Sequence, residues 1–122
     1  MILADTSVWI DHFRSANKEL QEALLNRRIV IHPWITAELA LGSLRDRTRT
    51  LATLDDLPQL RVAQMSELRL MIEADRLYSL GIGLTDTQLI ASVLISPPTL
   101  LWTRDRRLRH VAEDLGIHAS LP

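Results

Sequence analysis

The chain contains no cysteine, which excludes disulfide bonds, thiolate metal sites and cysteine nucleophiles. The same absence agrees with a cytoplasmic location, which we expect for this protein. No apolar run approaches the roughly 20 residues that a membrane-spanning helix requires, so we expect no membrane association. No basic leader precedes the opening apolar residues, and Asp5 interrupts them, so we also expect no secretory signal.

Lysine is nearly absent: Lys18 is the only one, and the other thirteen basic residues are arginines. A net charge of -1 is not that of a general nucleic-acid coat, but the arginines are unevenly distributed. They form two clusters: Arg45, Arg47 and Arg49, and then Arg104, Arg106, Arg107 and Arg109. The planar guanidinium fork matches phosphate oxygens as lysine cannot, so the clusters indicate phosphate binding. For the first cluster, a solvated helix face is an equally good interpretation.

The alternation of strand and helix patterns indicates the fold class. With 122 residues, 47% apolar and 24% charged, the chain has the composition of a single globular domain, which we assign to residues 1–122. Short apolar runs predict strands at 2–4, 29–31, 60–63 and 99–102, with an edge strand at 117–119. Amphipathic stretches predict helices at 6–13, 20–25, 36–44, 48–57, 66–77, 86–95 and 104–115, with Thr85 capping the sixth. We therefore predict a three-layer α/β/α domain with a mainly parallel sheet of four to five strands.

Four acidic residues stand where such a fold would expose them. Asp5 and Asp105 each follow a predicted strand, whereas Glu38 and Asp86 lie on predicted helices. Each has a simple structural explanation: Asp5 and Asp105 would cap helices, Asp86 would favour a helix N-terminus, and Glu38 would be a surface residue. Taken together, however, carboxylates at the carboxyl edge of a sheet repel one another unless a cation neutralises them. Since hard divalent cations prefer oxygen ligands, the pattern predicts a metal site for phosphate chemistry.

The four acids belong to four short segments: ILADTSVWID at 2–11, TAEL at 36–39, DTQLIA at 86–91 and TRDRRL at 103–108. In the same order, these segments resemble the motifs of PIN-domain ribonucleases, especially the VapC-type toxins of bacterial toxin–antitoxin pairs. The resemblance covers nearly the whole chain and implies a PIN-like fold. Two positions depart from the pattern, with Leu108 where an aromatic residue is common and Thr87 where alanine is frequent. Neither departure removes an acid.

The resemblance assigns roles to particular residues. Asp5, Glu38, Asp86 and Asp105 would be catalytic and would bind Mg²⁺ or Mn²⁺, and Thr103 would orient the attacking water. Thr6 would support the site with its hydroxyl. Apart from the resemblance, Arg104 and Arg107 flank Asp105 in the sequence, so we expect them to contact the scissile strand of the substrate.

The expected function is a divalent-metal-dependent endoribonuclease that cleaves RNA phosphodiester bonds and acts as a toxin. Its expected partners are an RNA substrate, a cognate antitoxin protein and a second copy in a homodimer. The alternative is a catalytically silent PIN-like RNA-binding or scaffold module, which would typically have lost an acid. Other α/β phosphoryl-transfer domains fit less well, because they need a lysine near the site and Lys18 is poorly placed. A phosphatase of the haloacid dehalogenase type would also need an aspartate where Ser7 stands.

Overall fold

A computed structural model describes all residues from 1 to 122. Three strands are formed: β1 (Ile2–Ala4), β2 (Ile29–Val30) and β3 (Leu100–Trp102). Seven helices accompany them: α1 (Thr6–Arg14), α2 (Lys18–Leu25), α3 (Pro33–Ala40), α4 (Arg47–Asp55), α5 (Met65–Ala74), α6 (Leu84–Leu94) and α7 (Arg106–Asp114). None of these helices has the length and apolar character to cross a membrane. The α/β class predicted from the sequence is confirmed.

The sheet is parallel throughout, with β1 in the centre and the strand order β2-β1-β3. Ile2 pairs with Ile29 on one side, and Ala4 pairs with Trp102 on the other. Parallel strands covered on both faces are apolar along their whole length, which explains why β1 and β2 are runs of buried residues. The chain leaves β1 towards one side of the sheet and returns on its other side in β3. This arrangement creates a topological switch point between β1 and β3.

The prediction of four to five strands is wrong, because the sheet has three. The predicted strand at 117–119 is reduced to a single bridge between Leu101 and His118. No strand forms at 60–63, and the only bridge near it joins Ile31 to Gln59, the residue before that segment. Both bridges are parallel, and each adds only one residue pair to an outer edge of the sheet.

A buried glutamine explains why the segment at 60–63 forms no strand. The Gln88 side chain accepts a hydrogen bond from the Ala63 amide at 3.2 Å and donates one to the Ala63 carbonyl at 3.1 Å. The Ser92 hydroxyl also accepts from the Ala63 amide, at 3.1 Å. Side chains from α6 therefore satisfy backbone groups that a neighbouring strand would otherwise have satisfied.

The starts of α6 and α3 differ from the prediction for identifiable reasons. Gly83, and not Thr85, is the N-cap of α6, and the Thr87 hydroxyl donates to the Gly83 carbonyl at 2.8 Å. Helix α3 begins at Pro33, where proline's fixed φ suits the first helical position and its missing N–H costs nothing. The side chain of the preceding residue, His32, caps this helix by accepting from the Trp34 amide at 3.0 Å.

The main core is a cluster of 23 buried apolar residues that surrounds the sheet. Leu3, Leu101 and Trp102 are completely buried within it. Since β1 is held in the core on both sides, Asp5, the first residue after β1, has a fixed position at the carboxyl edge of the sheet.

Candidate active site

The centre of the candidate site is Asp5, at the switch point between β1 and β3. The Asp5 amide donates to the Trp102 carbonyl at 2.9 Å, so the parallel ladder continues for one step beyond β1. This pairing places the next residue of the other strand, Thr103, beside the Asp5 carboxylate. The Thr103 hydroxyl donates to Asp5 Oδ2 at 2.5 Å, and both residues are buried.

The other oxygen of Asp5 is held by α1. Asp5 Oδ1 accepts from the Ser7 hydroxyl at 2.5 Å and from the Val8 amide at 3.3 Å, so Asp5 is the N-cap of this helix. Burial raises the pKa of Asp5, and the hydroxyls of Ser7 and Thr103 oppose that shift because they stabilise the ionised form.

Asp105 is linked to Asp5 through a single hydroxyl. Thr103 Oγ1, which donates to Asp5, also accepts from the Asp105 amide at 3.0 Å. Asp105 in turn is the N-cap of α7, since its Oδ1 accepts from the Leu108 amide at 2.9 Å. Helix capping therefore explains why Asp5 and Asp105 stand at these positions. In Asp105 it uses only one carboxylate oxygen, Oδ1.

Asp86 is close enough to the other three acids for their charges to affect its pKa. It lies in the first turn of α6, and its pKa is raised from 3.8 to about 6. Burial is the largest cause, followed by the charges of Asp5, Asp105 and Glu38 in that order. Glu38, on α3, is exposed and is connected to α1 because its Oε1 accepts from the Thr6 hydroxyl at 3.2 Å.

The four acids suit a hard cation, because the ligands that they offer are all carboxylate oxygens. No three acidic or histidine side chains are close enough to enclose an ion by themselves. This spacing still fits Mg²⁺, which in proteins keeps several waters and takes only one or two carboxylates. A cation here would also relieve the repulsion that raises the pKa of Asp86.

The two arginines predicted to bind substrate have partners within the protein. The Arg104 guanidinium pairs with Asp11 on α1, and its amide donates to the Ser7 hydroxyl at 3.0 Å. Arg107 Nη1 lies 3.4 Å from the Gly81 carbonyl, where a Cβ atom on Gly81 would come within 2.8 Å of that nitrogen. Contact of Arg104, Arg107 or Thr6 with RNA therefore stays a prediction.

Ser7 is a site residue that the sequence analysis missed. Its hydroxyl donates to Asp5 and accepts from the Arg104 amide, so it joins α1 to the loop before α7. The sequence feature that could have identified Ser7 is its spacing. It lies two positions after Asp5, where a short hydroxyl side chain can bond to the side chain of the acid.

The model of the family described as "PIN domain" matches residues 2–114 of this chain. The chain belongs to the PIN domain family. This PIN domain is 39% identical over 117 residues to proteins named Ribonuclease VapC32 from two strains of Mycobacterium tuberculosis, CDC 1551 / Oshkosh and ATCC 25618 / H37Rv. The match covers 96% of this chain and 94% of each relative. The resemblance drawn from the four sequence segments is thereby confirmed.

Proposed function

We propose that this PIN domain is a divalent-metal-dependent endoribonuclease that acts as the toxin of a toxin–antitoxin pair. The observation that carries the proposal is the buried Asp5 at the switch point, which the Thr103 hydroxyl joins to the backbone of Asp105. Asp86 supports it, since burial and then the charges of Asp5, Asp105 and Glu38 raise its pKa. Its similarity over 96% of the chain to proteins named as ribonucleases supports RNA as the substrate. The presence of all four acids argues against the alternative, a silent RNA-binding or scaffold module.

Asp5, Glu38, Asp86 and Asp105 would hold Mg²⁺ or Mn²⁺. When bound, such a cation lowers the pKa of a coordinated water and shields the negative charge of the phosphodiester. Hydrolysis by water forms a bond from the water oxygen to phosphorus and breaks the bond to the 3′ oxygen, which takes up a proton. The products are a 5′-phosphate and a 3′-hydroxyl.

The protein's own contribution is to hold the acids still. Asp5 is fixed by two hydroxyls and one amide, so its carboxylate keeps one orientation during the reaction. Thr103 ties Asp5 to the backbone of Asp105, which prevents the two strand ends from moving apart. Preorganised groups of this kind need no rearrangement when charge develops in the transition state.

Cleavage of total RNA by the purified protein tests the proposal, with Mg²⁺ or Mn²⁺ and then with EDTA. The protein is first unfolded and refolded to remove any bound partner. Asp5→Asn should abolish cleavage and keep the fold, because asparagine also caps helices well. Glu38→Gln is the second variant, since Glu38 is exposed and its loss cannot unfold the core.

Glu22→Gln is the matched control, because Glu22 is an exposed glutamate on a helix, α2, outside the site. Metal-dependent cleavage in the wild type and in Glu22→Gln, but in neither site variant, is the expected result. Equal RNA cleavage by the wild type and the three variants would reject the nuclease function. The RNA-binding module would then be the better description.

The proposed protein partners are a cognate antitoxin and a second copy of the chain. The antitoxin partner is supported by the similarity to proteins named VapC32, and the second copy is part of the same proposal. Light scattering of the purified protein, alone and with the co-expressed antitoxin, tests both partnerships. A monomer at all concentrations would remove the homodimer from the proposal.

A further inference from the structure

A groove of about 730 Å³ begins at Glu38 and leads away from the acidic site. Helix α1 forms one wall, with Ile10, Phe13 and Arg14. The segment between α3 and α4 forms the other wall, which includes Arg45. Since Glu38 also accepts from Thr6 beside Asp5, the groove and the acidic site are continuous.

Two arginines of the groove, Arg14 and Arg45, have no side-chain partner within the protein. Neither Arg14 nor Arg45 takes part in an ion pair, and neither guanidinium donates a hydrogen bond within the protein. Asp46 is the one acid of the lining outside the carboxylate quartet. Free guanidinium groups beside a site for phosphodiesters are suited to bind the phosphates of the same strand.

The wall that carries Arg45 is held in place by the protein itself. Arg47, the first residue of α4, donates from its guanidinium to two carbonyls at and just after the end of α3, at 2.5 Å to Ala40 O and 3.2 Å to Gly42 O. The Thr50 hydroxyl donates to the Arg45 carbonyl at 2.9 Å. These bonds fix the backbone of the segment, so the arginine before α4 is presented from a preformed surface.

The lining also offers exposed apolar area on α1. Ile10 is 42% exposed and Phe13 is 37% exposed, whereas Trp9 behind them is buried. Phe13 is supported from within by Trp9, with ring centroids 5.9 Å apart. An aromatic ring backed in this way is a stacking surface for an unpaired base.

We infer that this groove binds the single-stranded RNA on one side of the scissile phosphate. Arg14 and Arg45 contact the backbone phosphates, and Phe13 stacks with a base. The inference rests on the proposed nuclease function and extends it to a subsite away from the acids. RNA fits better than a protein helix because the groove opens directly at Glu38, past which the substrate strand must run.

The test uses the double variant Arg14→Gln and Arg45→Gln with a labelled oligoribonucleotide that spans a cleavage site mapped in total RNA. Because both side chains are exposed and unpaired, thermal unfolding should be unchanged. KM should rise roughly tenfold or more while kcat changes little, since the lost contacts lie away from the reacting atoms. The slope of log KM against log salt should decrease by about 1.4, which is about 0.7 for each phosphate contact on a single strand.

The matched control is the double variant Arg28→Gln and Arg69→Gln, which removes the same charge from exposed positions outside the groove. Arg28 precedes β2 at the amino edge of the sheet, opposite the site, and Arg69 lies on α5. The control should keep the wild-type KM and salt slope. Equal KM values for the two double variants would overturn the inference, even though the wild type cleaves RNA.

Two further outcomes separate this inference from other possibilities. If the groove variant keeps its RNA kinetics but is no longer inhibited by the antitoxin, the groove binds protein and the inference is wrong. If the wild type itself does not cleave RNA with metal present, the proposed function fails first. In that case, unchanged RNA affinity of the groove variant in a fluorescence anisotropy assay would overturn the inference separately.

Discussion

Removing the charge of Asp86 should stabilise the metal-free protein. Its pKa is raised from 3.8 to about 6 by burial and then by the charges of Asp5, Asp105 and Glu38. This difference corresponds to about 3 kcal/mol that the folded state must supply to keep Asp86 ionised. Because Asp86 is partly exposed to solvent and the acids are screened by salt, we reduce this to roughly 1–2 kcal/mol.

The sign of the pH dependence follows from the raised pKa. Below about pH 3.8 Asp86 is protonated in both the folded and the unfolded protein, so the folded state bears no cost. Between pH 3.8 and about 6 the folded protein retains a proton that the unfolded chain releases, so the free energy of unfolding falls as the pH rises. Above about pH 6 the cost is complete.

Urea unfolding of the metal-free wild type and of Asp86→Asn, at several pH values from 4 to 8, measures this cost. The variant should be more stable by roughly 1–2 kcal/mol at pH 8, with the difference shrinking towards pH 4. Mg²⁺ should stabilise the wild type more than the variant, because it binds only the folded state and needs the carboxylates.

Asp55→Asn is the control, since Asp55 is an exposed aspartate on α4 that forms no ion pair. It should leave the free energy of unfolding unchanged across the series. A variant at Asp86 that is no more stable than the wild type at pH 8 would show that neither burial nor the neighbouring acids penalise the ionised form of Asp86. The argument for a cation site at the switch point would then lose its electrostatic support.

Three other substitutions test the interior of the fold and the site. Gln88→Leu should destabilise the protein by about 2–3 kcal/mol in urea unfolding, because the buried carbonyl of Ala63 loses its donor. Leu108→Ala should cost about 2–5 kcal/mol in the same assay, since the side chain is completely buried in the core. Thr103→Val should lower the RNA cleavage rate about 10- to 100-fold, because the hydroxyl that orients Asp5 is lost.

Each of these substitutions has a control, in which the same substitution is made at an exposed position. The controls are Gln21→Leu on α2, Leu70→Ala on α5 and Thr48→Val on α4. Unfolding free energies that do not differ between a buried variant and its control would contradict the packing described for Gln88 and Leu108. Cleavage by Thr103→Val at the rate of Thr48→Val would remove Thr103 from the catalytic machinery.

The sequence predicted the parts of the site that depend on backbone topology. Asp5 and Thr103 follow strands whose apolar runs are unambiguous, and adjacent parallel strands bring their carboxyl ends together. Glu38 is different, because it lies on a helix surface and its position depends on how α3 packs beside α1, which the strand pattern does not determine. Ser7 was missed since its role depends on a side-chain rotamer that no apolar pattern records.

The main failure of the fold prediction has an identifiable physical origin. The segment at 60–63 has the composition of a strand, but its amide and carbonyl at Ala63 are bonded by the side chain of Gln88, which lies 25 positions further along the chain. Propensity describes how well a segment fits a pleated surface and contains no information on which distant side chain will compete for its backbone. The prediction of Thr85 as the N-cap of α6 was wrong for a local reason. Gly83, two residues earlier, has the extended backbone of an N-cap.

The position of Asp5 in the hydrogen-bond network has a consequence for how this protein can lose its activity through mutation. Its carboxylate caps α1 and binds two hydroxyls in the interior, so most replacements there would damage the folded protein together with the reaction. Glu38 is exposed, and a replacement there would spare the fold. A genetic selection for soluble but harmless variants should therefore recover changes at Glu38 often and at Asp5 almost only as asparagine.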